Sequence, residues 1–576
     1  MTTPKPASRG MNVRLAILSG CIIAATFLPF VHRPYSLTSD IAYQAFSARQ
    51  YVDHEVSVLN TVSLADPRDL SKDYLSSSNF WPPCWPYLFT LAYKAGLAPG
   101  PAGRLLIVLM SISGAFGWIW VTSILGMKGP WRVAGVVLAS LYGLRTNAMA
   151  SLGAGDFVVY AVAPWILGPA LYLGARQPAR LNRRTVFQTA LLALAMGSLY
   201  WLKYSAIFLG VPVLSALILG QFFIRPRRPA IFLAALSLYG VAFVAPVLAN
   251  KVYNYKGTGT DLVESVIGSS KPRTLWRFEK LTTQGLFNVS TTLFSAEAGA
   301  ERITRDRSET VQWLARLPGL ALLAMLLLFC LWYPPGFLRT LVALMIAIPL
   351  VGFPLLSFVV GLQFTAAMGR SCGPFWILLE LFILMLFTRP LRDERSGFQR
   401  LARVGLAVLA GSQVLLLLWT PIGALQELRV MYFERPPYQA SEADLWVPDL
   451  SKFGTRDIDS QVRGLIRGPN DVVVPAVYAN RSFGMDLWLE FGGRLLPLNT
   501  YIFRQSYQDG GDFFGTGPFQ TSRPLRVILV APNVFERKDF PDLVQHIKNR
   551  FVQAREWTEG PLDPNGRVRI WVTDLP

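Results

Sequence analysis

The chain has 576 residues, 52% of them hydrophobic and only 16% charged, with a mean hydropathy of +0.35. That balance excludes a disordered chain and an ordinary soluble domain, and it points to a protein that places much of its length in a bilayer. The formal net charge of +19 raises nucleic-acid binding, but the basic residues form no stripe or patch, which excludes that partner.

About eleven apolar runs are long enough to cross a ~30 Å hydrocarbon core. They fall near 15–31, 102–125, 133–150, 157–174, 186–202, 205–224, 230–249, 315–333, 338–360, 373–388 and 402–419. The sequence therefore predicts a polytopic α-helical membrane protein. The first run has a basic start but no small-residue cleavage site at its end (TFLPFVH), so it reads as an uncleaved anchor. Basic residues cluster in alternate loops: Lys5, Arg9 and Arg14; Lys128 and Arg132; Arg176, Arg180, Arg183 and Arg184; Arg225, Arg227 and Arg228; Arg389, Arg392, Arg395, Arg400 and Arg403. With an odd number of crossings these loops share one side. The positive-inside rule then puts the N-terminus in the cytoplasm and the C-terminus outside.

The outer face carries the extramembrane mass. A transmembrane domain over 1–419 has outer loops at 32–101 and 250–314, and 420–576 is expected to be a C-terminal extracytoplasmic α/β domain. In the first loop Ile41, Ala45, Ala48, Val52, Val56 and Leu59 recur at spacings of three and four, the stripe of an amphipathic helix, with Ser39 or Asp40 as its cap. After the polar stretch ADPRDLSKDYLSSSN comes WPPCWPYLF (81–89), a proline-rigidified turn into a short helix at the membrane interface. The second loop, with TLWRFEKLTTQGLF, also reads as membrane-hugging. Beyond Thr420, strands are predicted at 471–478, 494–500, 526–532 and 568–575, with a helix at 539–551. That domain has no glycine-rich phosphate loop and no nucleophile elbow, and reads as accessory. The cysteines Cys21, Cys84, Cys330 and Cys372 and the three histidines are scattered without metal-ligand spacing. Cys84 and Cys372 would share the outer side, which leaves a disulfide between them open.

Four stretches in order carry a resemblance. An aspartate (Asp40) opens the outer helix, and PPxxPYL follows before the second long apolar run. GAGDFVVYAVAPWILGPALYLGAR (153–176) brings Asp156 to a helix start, GSLYWLKYSAIFLGVP (197–212) carries Lys203 at a junction of two apolar runs, and MGRSCGPFWILLEL (368–381) has Arg370 followed by a proline. Together they resemble the GT-C glycosyltransferases, specifically the lipid-phosphosugar-dependent group that includes protein O-mannosyltransferases and transferases that modify bacterial lipids. The resemblance implies sugar transfer from a polyprenyl-phosphate donor to a glycan, lipid or protein acceptor at the outer face. It implies that Asp40 is the base, that Lys203 and Arg370 neutralise the donor phosphate, and that Asp156 orients the acceptor or helps place a divalent ion, magnesium or manganese. Trp81, Pro82 and Pro83 would shape the cavity floor.

Each residue also has a structural reading. Asp40 and Asp156 sit where helix caps sit, Lys203 where a lysine snorkels from a helix end, and Arg370 near an outer helix end. The Trp81 region has the aromatics of an interface anchor. A transporter or lipid flippase with a soluble cap is the alternative function, but the chain shows no internal repeat of the kind paired broken helices require. A ligase-like enzyme joining glycans outside would carry its essential groups in a late loop. A bacterial plasma membrane is the expected location, although Asn288 and Asn480 lie in N-x-S acceptor motifs that also suit an endoplasmic reticulum.

The topology is testable by single-cysteine labelling with a membrane-impermeant maleimide, after the native cysteines are replaced by serine. Cysteines at Trp446 and Arg567 are expected to react in intact cells and one at Lys5 only after lysis. Labelling at position 5 alone would reverse the orientation.

Overall fold

A computed structural model of the chain describes residues 35–36, 60–63, 69–72, 74–77, 82–127, 129–140, 155–175, 182–223, 229–258, 336–347, 445–446, 456–475, 518–532, 543–560 and 568–576. It also describes scattered residues of 44–52, 324–330 and 378–382. In chain order the elements are β1 (Tyr35–Ser36), β2 (Asn60–Ser63), β3 (Tyr74–Ser77), α1 (Cys84–Lys94), α2 (Pro99–Ile124), α3 (Gly129–Ser140), α4 (Gly155–Ala175), α5 (Arg183–Ser198), α6 (Ile207–Phe223) and α7 (Pro229–Thr258). There follow α8 (Phe337–Ala347), β4 (Leu445–Trp446), α9 (Arg456–Leu465), β5 (Val472–Pro475), β6 (Leu525–Pro532), α10 (Leu543–Arg550), β7 (Thr558–Glu559) and β8 (Val568–Leu575). The chain divides into two compact units, one of Met1–Pro29 with Ile107–Phe433 and one of Phe30–Leu106 with Glu434–Pro576. The division falls within α2. Residues 30–106, which include the loop expected at 32–101, thus group with the C-terminal segment.

α2, α4, α5 and α6 follow the expected apolar runs closely, while α3 covers only the first part of the run expected at 133–150, whose remainder lies outside the described residues. Among the described residues two helices, Gly100–Ile124 and Pro229–Asn254, are long and apolar enough to cross a membrane. Ile231, Leu233, Val241 and Leu248 of α7 are exposed, an apolar face suited to hydrocarbon and not to water. Asn182 caps α5 by accepting from the Thr185 N–H at 2.8 Å. Gly126, at φ 71°, closes α2, with the Met127 N–H donating to the Thr122 carbonyl at 3.1 Å. α7 runs past the expected end at 249 because the polar residues there pair within the helix: the Asn254 amide donates to Asn250 Oδ1, four residues back, at 3.1 Å. Where α5 and α7 pack, the Thr189 hydroxyl accepts from Gln221 Nε2 at 3.0 Å and Gln221 Oε1 from Tyr239 at 3.1 Å, a buried polar tie across three helices. The proposed runs at 15–31 and 402–419 lie outside the described residues.

Small residues set how close the helices come. Gly168 faces Trp120, Gly174 faces Phe337, and Gly197 of α5 lies against the backbone carbonyl of Phe243 in α7. A side chain at Gly197 would meet backbone, which cannot swing aside as a side-chain tip does.

The second unit holds a four-stranded mixed sheet in the order β5-β6-β8-β7, with β5 and β6 parallel and β8 antiparallel to both β6 and β7. Val527, Leu529 and Ala531 alternate along β6 and bury the same face as Val472 and Val474 of β5, against Ile547 and Phe551. The Asp471 carboxylate ties the turn before β5 to β6, accepting from the Arg467, Gly468 and Arg526 N–H groups at 2.6, 2.8 and 3.0 Å. The strand expected at 494–500 lies outside the described residues; the other three and the helix are present. The first outer loop contributes to the same unit. Its helical residues Ala45 and Ala48 are buried as the stripe required, and Gln44 and Ser47 are buried beside them. β2 and β3 pair antiparallel, and β1 pairs in parallel with β4.

α1 forms as expected after the two prolines. Pro82 and Pro83 are buried, and Pro86 lies in the first turn, where a missing N–H costs nothing. Trp85 and Phe89 are fully buried and meet edge to face at 5.5 Å. Gly96, at φ 81°, ends α1, with the Leu97 N–H reaching the Ala92 carbonyl at 3.1 Å. Cys84 carries a free thiol, which burial pushes up to about 11, and Cys372, the partner left open by the sequence, lies outside the described residues.

Gly197→Ala is expected to destabilise the purified protein by about 1–3 kcal/mol, the usual cost of overpacking. Gly240→Ala in α7, where an added methyl meets nothing within 4 Å, is expected to be neutral or to stabilise by up to about 1 kcal/mol. Thermal melts of the two variants in detergent compare them directly.

Candidate functional site

The feature that presents chemistry in the first unit is a break between α5 and α6. α5 ends at Ser198, whose hydroxyl donates back to the Leu194 carbonyl at 2.8 Å. The chain then tightens into two 3₁₀ turns, Leu199–Trp201 and Tyr204–Ala206, with Lys203 between them. The backbone of the break is satisfied locally. Leu202 and Lys203 both donate to the Leu199 carbonyl, at 3.0 and 3.1 Å, and the Lys203 carbonyl accepts from the Ala206 N–H at 2.9 Å. Lys203 is half-buried.

α7 holds this link from outside. Trp201 Nε1 donates to the Pro246 carbonyl at 2.8 Å, and the Trp201 ring lies 5.5 Å from that of Tyr253. The Asn254 amide donates to the Tyr204 hydroxyl at 2.9 Å as well as to Asn250. Tyr200 stacks on Tyr204 at 4.8 Å. Asn250 is fully buried, and its Nδ2 has no acceptor among the described residues. The link that carries Lys203 thus also carries aromatic side chains tied to α7. A half-buried ammonium pairs with an anion more strongly than it would in open water, and aromatic side chains suit a membrane boundary.

The other site residues named from sequence fall as follows. Asp156 is the second residue of α4, in its first turn, the position that favours a carboxylate for helix-dipole reasons alone. Its helix packs on α5 and α6, which bear the Lys203 break. Pro82 and Pro83 belong to the second unit as the buried lead-in to α1. Asp40, Trp81 and Arg370 lie outside the described residues. Among the described residues no group of three His, Cys, Asp or Glu side chains gathers around a metal position. The sequence reading missed Trp201, Tyr204, Asn250 and Asn254. The usable signal was a pair of asparagines four apart directly after an apolar run, since amides at that position need partners.

Comparison with known proteins gives the following. No family model matches the chain, and no curated protein matches it. Among solved structures it is similar to ArnT from Cupriavidus metallidurans bound to undecaprenyl phosphate, at 13% identity and a TM-score of 0.46, over 98% of both chains. It is also similar to the mycobacterial arabinofuranosyltransferase AftD, in two classes of one mutant, at 15% and 16% identity and a TM-score of 0.39. Those alignments cover 99% and 98% of this chain but 42% of AftD, so the chain spans less than half of that protein. Likenesses of this size transfer no residue roles.

The ties that hold the break can be measured. Asn254→Leu removes the donor to Tyr204 and is expected to cost about 1–3 kcal/mol, the range for a buried group left without its partner; Trp201→Phe, which loses one indole hydrogen bond, should cost about 1 kcal/mol. Thermal melts of the single and double variants give both values and their coupling.

Proposed function

We propose that the chain is a multi-pass membrane glycosyltransferase of the GT-C kind, which moves a hexosyl or pentosyl unit from a polyprenyl-phosphate-linked donor to a cell-envelope glycan, lipid or protein acceptor at the extracytoplasmic face. The observation that carries this reading is Lys203. The residue that the ordered motifs single out for a lipid phosphate is half-buried in a helix break between two 3₁₀ turns whose aromatic side chains Trp201 and Tyr204 are tied to α7. A half-buried cation at a junction of apolar helices suits a phosphate on a lipid tail.

The chemistry follows as a single inverting displacement. An acceptor hydroxyl oxygen attacks the anomeric carbon while the bond from that carbon to the donor phosphate oxygen breaks. The lipid phosphate departs with the bonding electrons, and the hydroxyl proton passes to the Asp40 carboxylate. One carboxylate suffices, because phosphate leaves without a strong acid. Lys203 and Arg370 take up the negative charge that grows on the departing phosphate, and that contact strengthens in the transition state. Asp156 orients the acceptor, and Trp81, Pro82 and Pro83 floor the site. The N-terminus is cytoplasmic and the C-terminal segment periplasmic in this reading, with the bacterial plasma membrane as the location.

Two substitutions test it. Lys203→Gln is expected to weaken binding of undecaprenyl phosphate at least tenfold, since a hydrogen bond to a charged group contributes about 1.5–3 kcal/mol. Asp40→Asn still caps a helix, so it should melt normally and bind that lipid, yet lower sugar transfer by ~10²–10⁴, the usual loss with a general base. Transfer is read by mass spectrometry of envelope lipids and glycans from cells with and without the protein. Near-normal transfer by Asp40→Asn returns that aspartate to a capping role, and unchanged lipid binding by Lys203→Gln reduces the lysine to an anchor.

A further inference from the structure

The C-terminal segment is tied into the first outer loop at two places. In the stretch the sequence marked only as polar, Leu70 is fully buried in the core of the C-terminal sheet, among Val472, Phe519 and Leu525. Its N–H donates to the Gln520 carbonyl at 2.8 Å. Beside it the Asp69 carboxylate gathers donors from both segments. Oδ1 accepts from the Ser71 N–H and hydroxyl at 3.2 and 2.6 Å and from the Ser522 N–H at 3.2 Å. Oδ2 accepts from the Ser522 hydroxyl at 3.0 Å and pairs with Lys72 at 3.0 Å. The Ser71 and Ser522 oxygens are themselves 2.7 Å apart. The second tie is the parallel pairing of β1 with β4, Ser36 opposite Trp446.

These ties bracket the residue on which the proposed chemistry rests. Ser36, held by β4, lies four positions before Asp40 in sequence, and Ala45, whose carbonyl accepts from the Tyr93 hydroxyl at 3.3 Å, lies five positions after it. The helical residues 44–52 are held in turn against α1, where Tyr51 meets Tyr87 at 6.0 Å and Lys94 lies 5.3 Å over the Tyr51 ring. A loop of this length left untied samples many conformations, and a base displaced by even 1 Å loses much of its rate. We infer that the C-terminal segment is the scaffold that positions the base-bearing loop, with Asp69, Leu70 and Ser522 as its clamp and Asp69 as a positioning residue. The inference rests on the proposed reading of Asp40 for its catalytic consequence, but the clamp itself does not.

The experiment uses the full-length chain and separates the two. In Asp69→Ala, hydrogen exchange across 60–77 is expected to rise about tenfold or more. Sugar transfer onto envelope lipid in isolated membranes, read by mass spectrometry, should fall at least tenfold, while affinity for undecaprenyl phosphate stays within twofold. A variant that merely misfolds loses both. Adding Ser71→Cys and Ser522→Cys to Asp69→Ala replaces the lost tie by a disulfide: transfer should return when that bond is formed and vanish with reductant. Unchanged exchange in Asp69→Ala, or no recovery with the disulfide formed, overturns the clamp. An Asp40→Asn control that transfers normally overturns the reading of the base instead, and leaves the exchange result standing.

Discussion

The contact of Gly197 with the Phe243 carbonyl sets the geometry on which the first unit depends. Two helices normally pack at 8–10 Å because side chains separate their axes. With no Cβ at this crossing, α5 and α7 approach backbone to backbone. That approach brings the Pro246 carbonyl within reach of the Trp201 indole and lets Asn254 meet the Tyr204 hydroxyl. The break that displays Lys203 is therefore a consequence of helix packing. Three residues with no charge, Gly197, Trp201 and Asn254, hold the link that carries a charged one.

In the second unit the equivalent role falls to a carboxylate. Asp69 is held well below the usual carboxylate range, first by the Ser71 hydroxyl and then by Lys72 and Ser522. A depressed folded value means that the charged form contributes stability above about pH 4, the unfolded value, and that the contribution fades only as the pH falls below it. The clamp therefore holds across any pH at which a cell envelope functions, which suits a permanent tie and not a switch. Arg526 and Asp574 do the same within the sheet, in a two-pronged pair at 2.7 and 3.0 Å that joins β6 to β8.

What was legible in the sequence follows from range. Apolar runs and caps are local, so α2, α4, α5 and α6 fall where their hydropathy placed them and Asn182 caps where a cap was needed. The strands β5, β6 and β8 were legible from their β-branched runs. The end of α7 was not, because polarity after 249 looked like a loop, whereas the Asn254 amide donates to Asn250 Oδ1 one helical turn back. The clamp was hidden altogether. Leu70 lies between Asp69 and Ser71 in a largely polar stretch, and Ser522 hydrogen-bonds Asp69 across a sequence separation of 453. No periodicity reports a contact of that range, so the C-terminal domain read as accessory. Lys203 was found only through motif order. Nothing local distinguishes it from a snorkelling lysine until the turns on either side are seen.

The character of the break also bears on transport as the alternative. A transporter uses discontinuous helices as moving parts, in corresponding positions of two halves. Among the described residues, proline does not supply such breaks here: α4 runs through Pro164 and Pro169, α6 through Pro212 and α7 through Pro246 without interruption. The interruption at 199–206 lacks an internal proline, and the Leu202, Lys203 and Ala206 N–H groups donate within it, to the Leu199 and Lys203 carbonyls. Its aromatic side chains are pinned to α7 by hydrogen bonds at 2.8 and 2.9 Å. Movement there would break several buried polar contacts at once, each costing about 1–3 kcal/mol when left unmade. A gate needs two arrangements of similar energy, and this link is built for one. Under the proposed function, a cation on such a link would meet the same phosphate in the same place at every turnover.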